Sequence, residues 1–166
     1  MTRQGHHIVV RREDAKRLFA QSDDAGVRSV VNQLLQSKQY RADGFLLDCG
    51  TLWDPIHRCL NDGTLNPHDG EFPLDHCILG GKQLYQGEDF EAILVRPDIV
   101  TQVAEAIHNL KRSEVRDRYF ALKPEIYGKS PTEEEFEHMW NKLFQIRELF
   151  EYAADERCAI LFTVER

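Results

Sequence analysis

CAILFTV, residues 158–164, is a continuous apolar run of strand length. A run of this kind fits a strand buried on both faces, and it commits the chain to a sheet. Directly before it lies a long helical pattern, in which Ser130 or Thr132 is placed to cap and Glu133 to Glu135 occupy the positive first turn. The apolar positions Phe136, Met139, Trp140, Leu143, Phe144, Ile146, Leu149, Phe150 and Ala153 cover more than one stripe, so a central helix with two buried faces is expected.

Two further stretches match the first. FEAILVRP (90–97) reads as a central strand, with Pro97 opening a helix over Ile99, Val100, Val103, Ala106, Ile107 and Leu110. GHHIVVR (5–11) alternates loosely and is rich in β-branched residues, a short strand that could pair with the C-terminal one. Helices follow over REDAKRLFAQ and over Val27, Val30, Val31, Leu34 and Leu35; another covers 113–122 until Pro124. Phe45 to Leu47 is either a fourth strand or the lead-in to a helix capped by Asp48. Residues 61–75 are rich in Gly, Pro, Asp and Asn, a long surface loop, and HCILGGKQLYQGEDF (76–90) reads as a backbone bend. The expectation is one α+β domain over 1–166, a small sheet of about three to four short strands covered by about six helices.

Composition narrows function. Charged residues are 30% and hydrophobic ones 42% of the 166, with a net charge of −7. That balance repels phosphate backbones, so nucleic acid and anionic membrane surfaces are disfavoured. No apolar run reaches bilayer length and MTRQGHHIVVRRED has no secretory signal, so a cytoplasmic location is expected. Cys49, Cys59, Cys77 and Cys158 are then read as thiols.

The chemistry-bearing residues concentrate in DCGTLWDPIHRC (48–59) and in His76-Cys77. Zinc would need Cys49, His57, Cys59, His76 and Cys77, yet the spacing C-x7-H-x-C lacks any C-x2-C or H-x3-H pair. On a helix, His57 and Cys59 point about 200° apart. No metal is expected, and the cysteines read as small buried hydrophobes. Cys49 at a helix start could be a nucleophile, but no partner histidine is identified. LGGK (79–82) is not a P-loop, so no cofactor is expected. If a pocket exists, Asp48, Trp53, His57, Tyr127 and the Gly80-Gly81 bend are its lining, with His57 one helical turn from Trp53.

In order, DCGTLWDPIHRCLNDG, FPLDHCILGGKQL, LVRPDIVTQVAEAI, PEIYG and AADERCAILFTV resemble the YfbM-like bacterial family, a domain of unknown function, over nearly the whole chain. The resemblance implies a single α+β domain in a bacterial cytoplasm and no assigned activity. The family pattern, Asp-x-Asp-Lys-x-Trp followed by a histidine four residues after the tryptophan, is kept at Asp48, Trp53 and His57, but Gly50 and Thr51 replace its second acid and its lysine.

Two functions fit these residues. One is a non-catalytic protein-binding module steered by its charge towards a basic partner, such as an immunity-type neutraliser of a toxic enzyme. The other is a small-molecule-binding protein or enzyme using the pocket around Trp53 and His57. Oligomeric state is left open by either.

Overall fold

The computed structural model describes residues 3–166; Met1 and Thr2, the first residues of the N-terminal stretch considered for a signal, lie outside it. The β-branched GHHIVV forms β1 (Gly5–Val10) and the final apolar run forms β5 (Ala159–Glu165). They pair antiparallel from Gly5↔Val164 to Val10↔Ala159. On the other side of β5 lies β4 (Phe90–Val95), in register from Phe90↔Glu165 to Val95↔Ile160. The edges are β2 (Leu46–Gly50) beside β1 and β3 (Lys82–Gln83) beside β4. The strand order is β2-β1-β5-β4-β3, and every pairing is antiparallel. β5 therefore has no solvated face, which is why its sequence shows no alternation.

Because strand side chains alternate, the register sorts residues into two faces. His7, Val9, Phe162, Ile160 and Ile93 share one; His6, Ile8, Thr163, Leu161 and Leu94 share the other. The first face is covered by α4 (Trp53–Leu60), α5 (Pro97–His108) and α8 (Glu133–Asp155), with α6 (Arg112–Phe120) and α7 (Pro124–Tyr127) further out. The second carries α1 (Arg12–Phe19) and α2 (Asp24–Leu35), followed by α3 (Lys38–Ala42).

Helix ends follow local chemistry. Asp23 accepts from Gly26 N at 2.8 Å to start α2, and Thr132 accepts from Glu135 N at 3.2 Å to start α8. Pro97 opens α5, where its missing N–H has no bond to lose. On α8 the buried residues Phe136, Met139, Leu143, Ile146, Phe150 and Ala153 step by three and four, one stripe laid on α5 and the sheet. Each such large side chain contributes about 1.5–3 kcal/mol by leaving water.

The architecture corrects the sequence expectation in several places. Among the described residues there are five strands and eight α-helices, not three to four and six. β2 takes up the strand alternative at Phe45 to Leu47, and the additions are β3 and the short α3 and α7, pieces too brief to express a period. Asp48 does not cap a helix: it is in β2, and α4 begins at Trp53 with Leu52 before it. The 76–90 stretch contains β3 and the end of a 3-10 turn, Leu74–Cys77. The burial of α8 is wider than a single stripe, since Leu149 is buried and Trp140 half-buried, but it stops short of Phe144, which is 43% exposed. Among the described residues no helix is long and apolar enough to cross a membrane.

Candidate functional site

The six residues expected to line a pocket are not gathered into one. Trp53 is buried against Phe162, with ring centroids 5.7 Å apart, and its Nε1–H donates to Arg3 O at 3.0 Å. His57 is fully buried; its Nε2–H donates to Asn66 O at 3.2 Å and its Nδ1 accepts from the Asn61 amide at 3.2 Å. Burial holds its pKa below the ordinary value, so the ring is neutral and clasps the 61–73 loop to α4. Tyr127 donates to Glu135 at 2.5 Å and tethers α7 to α8. A Cβ on Gly80 would lie 2.2 Å from Asp75 O, and one on Gly81 would lie 2.8 Å from Leu94 O. Close backbone approach explains both glycines, and neither lies open to a phosphate. Asp48 is exposed on β2, accepts from Gly50 N at 2.7 Å, and comes within 4.0 Å of His6.

A cysteine–histidine pair does exist, with a histidine that the spacing did not single out. His7 Nε2–H donates to Cys77 O at 2.8 Å, which leaves Nδ1 to accept from the Cys49 thiol at 3.1 Å. Both side chains are completely buried. Burial lowers His7 to about 4 and pushes Cys49 up to about 12, so the pair is neutral. A nucleophile needs the opposite shifts, thiol down and imidazole up. Cys77 and Cys59 are buried too, with thiols raised by the same cause. Among the described residues no three His, Cys, Asp or Glu side chains form a group able to hold a metal ion.

One of several openings of similar size lies on the other face, beside the last turn of α2. A cleft of about 520 Å³ is bounded by Arg3, Gln4 and His6 before and within β1, by Asn32 and Leu35 of α2, and by Phe90. Its remaining wall is Thr163 to Arg166 at the end of β5. Thr163 is 2% exposed and its Oγ1 has no hydrogen-bond partner among the described residues. An orphaned buried hydroxyl costs about 1–3 kcal/mol. The charged rim is partly engaged: Arg166 meets Glu91 at 2.5 Å, and Glu165 meets Arg28 at 2.7 Å. His6, Asn32 and Arg3 supply donors and acceptors above an apolar base of Phe90 and Leu35. Of the expected site residues, Asp48 through His6 and Trp53 through the Arg3 carbonyl approach this cleft from outside, and neither lines it.

A family described as a domain of unknown function, DUF1877, matches residues 1–163. The chain belongs to the DUF1877 family. No curated protein matches it. Among solved structures, YfbM from Escherichia coli, described as a protein of unknown function, superposes with a TM-score of 0.62 over 99% of each chain at 19% identity. That likeness establishes the fold for this DUF1877 member and leaves its chemistry to its own side chains. The cleft residues of this member escaped the sequence reading because they are common residue types drawn from both ends of the chain, from α2 and from the start of β4. The one available signal was the His6-His7 doublet, which a strand must split between its two faces.

Proposed function

We propose that this protein binds a small polar molecule, without covalent chemistry, in the cleft between α2 and the ends of β1 and β5. The observation that carries the reading is the Thr163 hydroxyl, buried and unpartnered on a residue that lines the cleft. A cavity of about 520 Å³ with an apolar base and a few polar groups suits a metabolite-sized ligand. Phe90 offers a flat surface to a planar portion; Asn32, His6 and Arg3 offer directional hydrogen bonds. The absence of an activated nucleophile among the buried thiols supports binding over thiol catalysis.

Docking of a basic protein partner rests on the net charge of −7. It is the less supported reading, since the exposed rings are dispersed and three of them lie under a cation. Phe19 is covered by Lys82 at 4.9 Å, Phe120 by Arg116 at 4.5 Å and Phe144 by Arg147 at 4.3 Å. The test is a thermal-shift screen of nucleosides, sugars and amino acids against the parent, Asn32→Ala and Thr163→Val. A ligand shift in the parent that vanishes in both variants supports the cleft. A shift that both variants retain, or no shift with any compound, overturns it.

A further inference from the structure

At the opposite end of the same sheet face the charge pattern of the molecule reverses. β1 and β4 both finish beside the start of β5, at Val10↔Ala159 and Val95↔Ile160, and each runs through one arginine into a helix. α1 and α5 thus begin at the same end of the sheet, and their N-caps Arg11 and Arg96 make no side-chain capping bond. Positive helix ends favour anions. A cleft of about 380 Å³ opens there, rimmed by Arg12, Lys16, Arg96 and Arg157, and no acidic residue lines it. Four cations around one cavity stand out in a chain carrying −7.

Nearby carboxylates neutralise only part of this rim. Asp14 is engaged by Arg17 and Tyr40, and Asp43 by Arg11. Arg96 meets Asp98 at 2.9 Å, while Arg12, Lys16 and Arg157 have no ion-pair partner among the described residues. The floor is apolar, formed by Val10, Leu94 and the inner side of Phe19. Arg157 adds an independent mark. It ends α8 at φ 56°, a conformation in which glycine is the unstrained choice. An arginine held there accepts backbone strain to set a guanidinium on the cleft rim.

We infer that this cleft is a second ligand site, selective for amphipathic organic anions: a carboxylate or phosphate monoester head on the cationic rim and an apolar body on the Phe19–Leu94 floor. Charge fixes the head, and the floor distinguishes such a molecule from a bare inorganic ion. The site is separate from the cleft proposed above and does not depend on it.

The experiment is calorimetric titration of the whole protein with octanoate and octyl phosphate, with octylammonium and inorganic phosphate as comparators. The expected result is saturable one-to-one binding of the two anions, much weaker inorganic phosphate and no octylammonium. Lys16→Ala and Arg157→Gly should each weaken octanoate at least tenfold, and Arg157→Gly should raise the thermal midpoint by relieving the backbone. Thr163→Val, at the other cleft, should leave octanoate affinity unchanged. Equal binding of octylammonium, undiminished binding in both rim variants, loss of octanoate in Thr163→Val alone, or no anion binding at millimolar concentration would overturn the inference.

Discussion

His6 and His7 are neighbours in β1, yet they belong to different worlds. His7 faces α8, fully buried and neutral, one nitrogen on Cys77 O and the other on the Cys49 thiol. His6 faces the α2 side and borders open space next to an unpartnered threonine. The difference extends to the whole sheet. The covered face has collected Cys49, Cys77, Trp53 and His57, the residue types that draw the eye as chemistry, and has used each one internally. The partly covered face holds common polar residues with bonding capacity left over. Residue type marks chemical potential; unspent hydrogen-bonding and unneutralised charge mark where it is available.

The comparison can be broken most directly at His7. His7→Ala should destabilise the protein by about 3–5 kcal/mol in urea unfolding, since it opens a cavity and strands the Cys77 carbonyl. A loss under about 1 kcal/mol would mean that the covered face is looser than its packing implies. Acid should find the same residue. The folded pKa of about 4 lies below the ordinary 6.5, so the unfolded chain takes up the proton first. Stability is therefore fully present above about pH 6.5 and is lost as pH falls towards 4, by up to about 3 kcal/mol. Urea midpoints between pH 7 and 4 measure it; His57, lowered for the same reason, adds in the same direction.

His57→Ala should cost about 2–3 kcal/mol, because the Asn66 carbonyl and Asn61 amide lose their buried partner. Limited proteolysis should then cut first within residues 61–73. Normal stability with an intact loop would return His57 to the candidate binding residues. The smallest effect has the opposite sign. Thr163→Val removes an orphaned hydroxyl at nearly constant shape and should raise unfolding stability by about 1 kcal/mol. If it destabilises instead, the hydroxyl is already satisfied and the two faces differ less than argued.

What the sequence made legible follows from length and period. β1, β4, β5, α2, α5 and α8 are each long enough for an apolar pattern to repeat, and each was expected where it occurs. LLDCG in β2 stayed ambiguous because its apolar residues run straight into those of α4, so a strand and the lead-in to a helix from Asp48 fitted alike. β3 has two residues and α7 four, too few for any pattern. Family membership was legible from motif order, since order survives where single positions change. The clefts were not, because each is made by register: His6 meets Thr163 and Val10 meets Ala159 only once β1 lies against β5. The expected pocket failed for a related reason. Trp53 and His57 do share α4, but that helix is buried along its length and turns both into the core.

The placement of β5 also has a consequence during synthesis. It follows every other strand in sequence yet lies between β1 and β4 in space. Until it emerges, β1–β2 and β3–β4 are separate hairpin-sized pieces, each with an open and strongly apolar edge. Chains arrested on the ribosome before Ala159 should accordingly stay protease-sensitive throughout, with no resistant N-terminal half. The two half-sheets wait, unpaired, for the seven residues that join them.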